Sequence, residues 1–222
     1  MSFHNEGMIV LEANHVTVSY GGAVALRDVS LRVEPGTVVA VLGRNGAGKT
    51  TLLRALAGLA PLSSGTVRWH GRPLPRPGVR FGRGGLRYMP ESRNVFGDLT
   101  VLENLRSALP WARPSDQDGR IAAVLNALPI LDGLLSRPAA LLSGGQRQAL
   151  AIARLLVCTP AVILADEPSL GLAPPTADSL LRSLLDCARR EHTTVVIAEQ
   201  NNLAREHADH VAVLDSGSLC AG

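Results

Sequence analysis

Aromatic residues are scarce in this 222-residue chain, with Phe, Tyr and Trp together making up 3% of it. Nucleic-acid grooves that work by base stacking interleave aromatics with basic residues, and little material for such a groove is present. Cysteine is rarer still. Cys158, Cys187 and Cys220 are odd in number and contain no Cys-x-x-Cys pair, which argues against a zinc knuckle or a disulfide framework and fits a reducing compartment. No apolar run approaches the roughly 18 residues of a membrane span. The start, MSFHNEGMIV, lacks the charged opening and apolar stretch of a signal peptide. The expectation is a cytoplasmic protein whose membrane role, if it has one, comes through a partner. Net charge is also small, +3 from 22 basic and 19 acidic residues, so charge alone does not imply a nucleic-acid partner. The 22 glycines follow no period of three and no internal repeat is visible.

One scarcity stands apart. Of the 22 basic residues, 21 are Arg and one is Lys, at position 49. A chain rich in Ala, Gly, Pro and Arg has the look of GC-rich codon drift, and the lysine that escaped it is expected to be held by chemistry. With 46% hydrophobic residues the chain should fold, and its length suits one domain or two lobes sharing a core.

Alternation predicts half-buried antiparallel strands at Val16–Tyr20 and Val29–Val33, separated by Gly21-Gly22. Thr37–Leu42 is a continuous apolar run, the mark of a strand buried on both faces. A helix-like stretch follows, ending near Pro61, then a strand at Thr66–Trp69. The Pro/Gly/Arg-dense segment Gly71–Gly85 cannot be a long helix. Thr100 and Glu103 have capping-box spacing, and residues 99–157 read as mostly helical. Buried-strand character returns at Ala161–Ala165, Thr194–Ala198 and Val211–Leu214, with helical stretches at Thr176–Arg190 and Asn201–Ala208. This alternation implies a parallel sheet with crossover helices. The expected organisation is α/β: a β lobe and core over about residues 1–89, an inserted helical lobe over about 90–155, and the core continued over about 156–222.

Gly43-Arg44-Asn45-Gly46-Ala47-Gly48-Lys49-Thr50 matches G-x-x-x-x-G-K-[ST]. Such a loop curls so that successive N–H groups converge on phosphates at a helix N-terminus. Lys49 is expected to reach the β- and γ-phosphates and Thr50 to take a place on Mg²⁺. A buried strand before it, a helix after it and the only lysine inside it supply the context. The strand Ala161–Ala165 runs into Asp166-Glu167-Pro168. Adjacent buried carboxylates are costly without a cation or a reaction to serve. Asp166 is expected to hold Mg²⁺ through water and Glu167 to polarise an attacking water. Leu142-Ser143-Gly144-Gly145-Gln146 precedes a helical run, with Ser143 where an N-cap belongs and two glycines exposing the first-turn amides.

These three motifs together resemble the signature set of ABC-transporter ATPases. The resemblance runs from about Ile9 to the end of the chain. It is nearest to the LivF-like ATPases of branched-chain amino-acid and urea/amide importers, through Met89–Phe96 with Leu99–Leu105, Asp166–Pro174 and Ala198–Asn201. It implies a P-loop NTPase fold of the ABC type that hydrolyses ATP with Mg²⁺. The nucleotide contacts it implies are Gly43, Asn45, Gly46, Ala47, Gly48, Lys49, Thr50 and Thr51, with Tyr20 stacking on adenine, though a plain core tyrosine is the alternative for Tyr20. Ser143, Gly144, Gly145 and Gln146 would act on the ATP of the opposite subunit, so a homo- or heterodimer with a second ABC ATPase is implied. Permease subunits would hold the protein at the inner face of the membrane, with a solute-binding protein acting indirectly. Glu91 stands where the family usually has Gln, and Gln200 where it usually has His; both fit the LivF-like pattern. The reading gives Glu167, Gln200 and Glu91 catalytic roles, with Glu91 on Mg²⁺ or paired with Arg93. A soluble ABC ATPase acting on nucleic acid or the ribosome, and a nucleotide-gated module with negligible hydrolysis, are the rival readings.

His207 and His210, three apart, lack a third ligand and read as solvated surface. The run Arg72, Arg76, Arg80, Arg83 and Arg87, with only Phe81 and Tyr88 among it, reads as a solvated lobe surface rather than a nucleic-acid groove.

Overall fold

The computed structural model describes residues 9–74, 85–92, 94–109 and 112–220. Strands β1 (Leu11–Tyr20) and β2 (Ala23–Val33) form an antiparallel hairpin. It turns at Gly21 and Gly22, whose φ of 54° and 88° are the left-handed values that a two-residue hairpin turn needs. Both strands are longer than the alternation predicted. Register shifts between Ala13 and Val16, Val16 and Val18, and Val18 and Ser19 interrupt the period of two and hide the remainder of each strand from a pattern search. With β4 (Ser64–Trp69) and β5 (Arg72–Pro73) they make a sheet in the order β2-β1-β4-β5.

The second sheet contains β3 (Val38–Leu42), β6 (Leu86–Met89), β7 (Val162–Asp166), β8 (Thr194–Glu199), β9 (His210–Asp215) and β10 (Ser218–Leu219), in the order β10-β9-β3-β8-β7-β6. Its pairs are parallel except β10 with β9. Every residue of β3, β7 and β8 is buried, because both faces of this sheet are covered. Val38, Ala40 and Leu42 point into one apolar cluster, with Ile163, Ala165, Val195 and Ile197. Val39 and Val41 point into the other, with Val162, Leu164, Val196 and Ala198. The first cluster is filled by α2 (Val101–Ser107), α3 (Pro114–Ala127), α4 (Gly144–Leu156) and α5 (Pro174–Arg190); the second by α1 (Lys49–Leu56) and the antiparallel sheet. Crossovers through α1, α4 and α5 give the doubly covered α/β architecture that the alternation implied.

Helix α1 stops at Leu56 rather than near Pro61. Gly58 takes φ 69°, its N–H reaches Ala55 O, and the Leu59 N–H reaches Arg54 O, a Schellman termination that ends the helix while the apolar pattern runs on. The helix expected over Asn201–Ala208 is reduced to a 3₁₀ turn at Arg205–His207. Asn201 Oδ1 accepts from Leu203 N, and such a local side-chain bond diverts the backbone from helix. Helix α2 begins where predicted: Thr100 and Glu103 exchange both bonds of a capping box. Asn104, fully buried, bonds Phe96, Leu99 and Thr100 backbone atoms and ties the preceding loop to α2.

Candidate active site

Strand β3 delivers the chain into the glycine loop, and the loop delivers it into α1. Gly48 is the N-cap residue at φ 105°, and a Cβ there would lie 2.7 Å from Ala25 O. Only glycine fits that approach. Lys49 is buried at 5% exposure. Its ammonium donates to Gly43 O at 2.8 Å and Arg44 O at 3.2 Å and pairs with Glu167 Oε1 at 3.1 Å. Glu167 follows the end of β7 at φ 47° and donates its own N–H to Ala198 O on β8. Gln200 Nε2, just past β8, donates to both Glu167 oxygens, at 3.0 and 2.8 Å. Three motifs far apart in sequence therefore meet in one hydrogen-bonded cluster, because β3, β8 and β7 are adjacent parallel strands whose C-terminal ends align.

The cluster floors a cleft of about 580 Å³ lined by Asn45, Gly46, Gly48, Lys49, Thr50, Thr51, Glu91, Glu167 and Gln200, with Val24, Ala25 and Leu170 at its sides. A cleft of about 470 Å³, sharing Asn45, Gly46 and Gln200, adds Arg44 and Ala47. Asp166 lies beneath, fully buried. Its carboxyl is raised above the ordinary range by desolvation, against hydrogen bonds from Thr50 and Tyr88 that lower it, with Glu167 and Glu91 adding repulsion. Tyr88 donates to Asp166 Oδ2 at 3.2 Å, and burial plus the adjacent Asp166 push its phenol upward.

Tyr20 does not line the cleft. It sits at the end of β1, 42% exposed, so it is not a core tyrosine. Ser143, Gly144, Gly145 and Gln146 stand elsewhere, at the N-terminus of α4. Ser143 caps the helix, accepting from Gln146 N while its own N–H donates to Gln146 Oε1. Ser143 and Gly144 are exposed. Arg93, the alternative partner for Glu91, lies outside the described residues, as do Arg76, Arg80, Phe81 and Arg83. One of the two histidines departs from expectation. His207 ends the 3₁₀ turn with its side chain 17% exposed, 3.5 Å from Asp178, while His210 begins β9 and is exposed. His207 is shielded by α5.

Sequence reasoning missed several neighbours of the cluster. Tyr88 was read only as part of the basic run. Glu199 is buried, accepts from Ser169 N at 3.0 Å and has its carboxyl raised by desolvation. Asn201 Nδ2 donates to Ser169 Oγ, and Gln148 of α4 donates to Pro168 O at 2.6 Å. The segment Glu167–Ser169 is thus gripped by three consecutive residues, Glu199, Gln200 and Asn201, and by the helix that Ser143 caps.

A family model described as ABC transporter matches residues 26–170. The chain belongs to the ABC transporter family. It is 39% identical, over 95% of its length and 91% of the relative's, to the high-affinity branched-chain amino acid transport ATP-binding protein BraG of Pseudomonas aeruginosa. To the probable branched-chain amino acid transport ATP-binding protein LivF of Archaeoglobus fulgidus it is 37% identical, over 87% and 83%. The hemin import ATP-binding protein HmuV of Streptomyces coelicolor is 36% identical, over 97% and 78%. Among solved structures, a dimeric ATP-binding cassette in a post-hydrolysis state with ADP and phosphate superposes with a TM-score of 0.81 at 26% identity, over 95% of this chain and 97% of that one. This ABC ATPase thus has the P-loop α/β fold its motifs implied, with the cleft at the glycine loop. No helix among the described residues is long and apolar enough to cross a membrane.

Proposed function

We propose that this ABC ATPase is the ATP-hydrolysing subunit of an importer for branched-chain amino acids or urea and related amides. It works as a dimer with a second ABC ATPase, docked at the cytoplasmic face of the membrane on permease subunits that receive solute from a binding protein. The observation that carries the hydrolytic reading is the convergence of Lys49, Glu167 and Gln200 over the glycine loop. The solute assignment leans on the BraG and LivF relatives and on Glu91 and Gln200 standing where the LivF-like pattern has them.

Lys49 turns from the carbonyls of Gly43 and Arg44 to the β- and γ-phosphates, whose charge makes stronger acceptors. Glu167, released from Lys49, accepts a proton from the water that attacks the γ-phosphorus in line, and the bond to the β-phosphate oxygen breaks to leave ADP. Gln200 keeps Glu167 oriented through its amide and meets the γ-phosphate. Ser143 and Gly145, with the first-turn amides of α4, complete the site holding the other subunit's ATP. Tyr20 stacks on adenine. The helices after Glu91 carry closure to the permease.

The donor set fits Mg²⁺. Among the described residues no three His, Cys, Asp or Glu side chains converge as a metal cage, and Mg²⁺ in such sites relies on one or two protein oxygens plus phosphates and water. Thr50, Asp166 and Glu91 supply oxygens only, and Asp166 Oδ1 is buried without a protein partner. Bound there, the ion would neutralise charge at the β- and γ-phosphates.

Phosphate release tests the reading directly. The wild-type chain with its partner should turn over ATP, and Glu167→Gln should bind ATP without turnover; normal turnover in Glu167→Gln removes it as the base. In vesicles carrying the permease, ATP-driven uptake of labelled leucine, valine, urea or a short amide supports the solute class. Uptake of none of them overturns it.

A further inference from the structure

We propose that Tyr88 is a positioning residue for the divalent cation that accompanies the nucleotide, its hydroxyl bond to Asp166 Oδ2 leaving Oδ1 as the acceptor offered to the ion's water shell. The inference rests on the reading of the cleft as a site for Mg²⁺ and ATP.

The placement follows from sheet register. Tyr88 on β6 pairs in parallel with Leu164 on β7. Leu164 and Asp166 are two apart and share a face of the strand, so a long side chain at position 88 reaches along the sheet to the carboxylate. The ring packs partly against the apolar cluster that holds Val162 and Leu164, which fixes its direction. Asp166 is fully buried. Its carboxylate torsion has two nearly equivalent orientations, since the two oxygens exchange on a half turn. A donor fixed on one oxygen pins the torsion angle, so the other oxygen keeps a single direction. Oδ2 has the phenol, and Oδ1 is buried with no partner. Thr50, whose hydroxyl is expected on the same ion, stands beside this carboxylate. Three residues beyond Tyr88, past the end of β6, the chain reaches Glu91 on the cleft wall, so the strand and the turn after it supply the brace and the outer acid. A phenylalanine fills the same apolar contacts but donates no hydrogen bond to the carboxylate.

Fluorescent N-methylanthraniloyl-ATP, titrated first without metal and then with Mg²⁺, separates the alternatives in the full chain. The expected result for Tyr88→Phe is unchanged affinity for metal-free nucleotide and a Mg²⁺ midpoint raised about tenfold, a shift of about 1.4 kcal/mol, because a carboxylate free to turn meets the ion's water shell less well. Adding Tyr88→Phe to Asp166→Ala should then change the midpoint no further, because no side-chain oxygen is left for the brace to orient. Coincident Mg²⁺ curves for wild type and Tyr88→Phe overturn the proposal. So does an equal loss of metal-free and metal-bound affinity, which marks a general structural role. A wild-type chain that binds no nucleotide under either condition sinks the underlying site reading instead, and with it this inference.

Discussion

The pairing of Lys49 with Glu167 can be tested as a stability device of the nucleotide-free chain. The two side chains are 4% and 9% exposed and 3.1 Å apart, so solvent screens them little. Removing one partner of a buried pair leaves the other charge uncompensated, at a cost of about 3–5 kcal/mol. In Lys49→Met the volume is kept, and Glu167 retains only the Gln200 amide. For a chain of this size each kcal/mol moves the melting midpoint by about 2–4 °C, so Lys49→Met should melt about 6–20 °C below wild type. Glu167→Gln should cost less, because Lys49 keeps its bonds to Gly43 O and Arg44 O. The double variant should be more stable than the sum of the two losses predicts. Thermal melts of all four proteins without nucleotide measure this cycle. Repeating them with ATP adds a second check: at a hundredfold excess over Kd, linkage raises wild-type stability by about 2.7 kcal/mol, and Lys49→Met should gain almost none of it. A Lys49→Met midpoint within about 2 °C of wild type, or strictly additive single losses, would refute the pairing as a source of stability.

Two further outcomes follow from groups beside the cleft. Ser143→Ala removes the cap of α4 and should cost about 1 kcal/mol, a melting decrease of about 2–4 °C, while ATP affinity of the isolated chain is unchanged and ATP-driven dimer formation weakens; equal dimerisation counts against its role across the subunits. Burial raises the Glu199 carboxyl above its ordinary value of 4.5, so the folded chain binds this proton more tightly than the unfolded one. That contribution is fully present below the ordinary value and is lost as pH rises through the raised one. Urea midpoints should therefore show Glu199→Gln gaining on wild type as pH rises from 4.5 through the raised value, and a gap that stays constant with pH refutes the assignment.

What the sequence made legible was what is encoded locally. A five-residue strand buried on both faces reads as an unbroken apolar run at Val38–Leu42, and the glycine loop carries its own chemistry in its spacing. The Thr100–Glu103 and Ser143–Gln146 caps are likewise contained in four residues each. Features that depend on pairing across the sheet were invisible. Nothing near Tyr88 announces a partner at Asp166, because β6 and β7 are joined only after the chain has passed through α2, α3 and α4. The bond from Gln148 to Pro168 spans 20 residues, and that from Asn201 to Ser169 spans 32. The one helix misread, Asn201–Ala208, failed where Asn201 had two tasks at once, turning the backbone at Leu203 and holding Ser169. A polar side chain engaged on both sides cannot also sit quietly in a helical turn, and the apolar pattern after it could not reveal that conflict. The same conflict explains why Gln200 and Asn201 hold Glu167 and Ser169 so closely: chain that does not continue as helix leaves its side chains free to face the adjacent strand end.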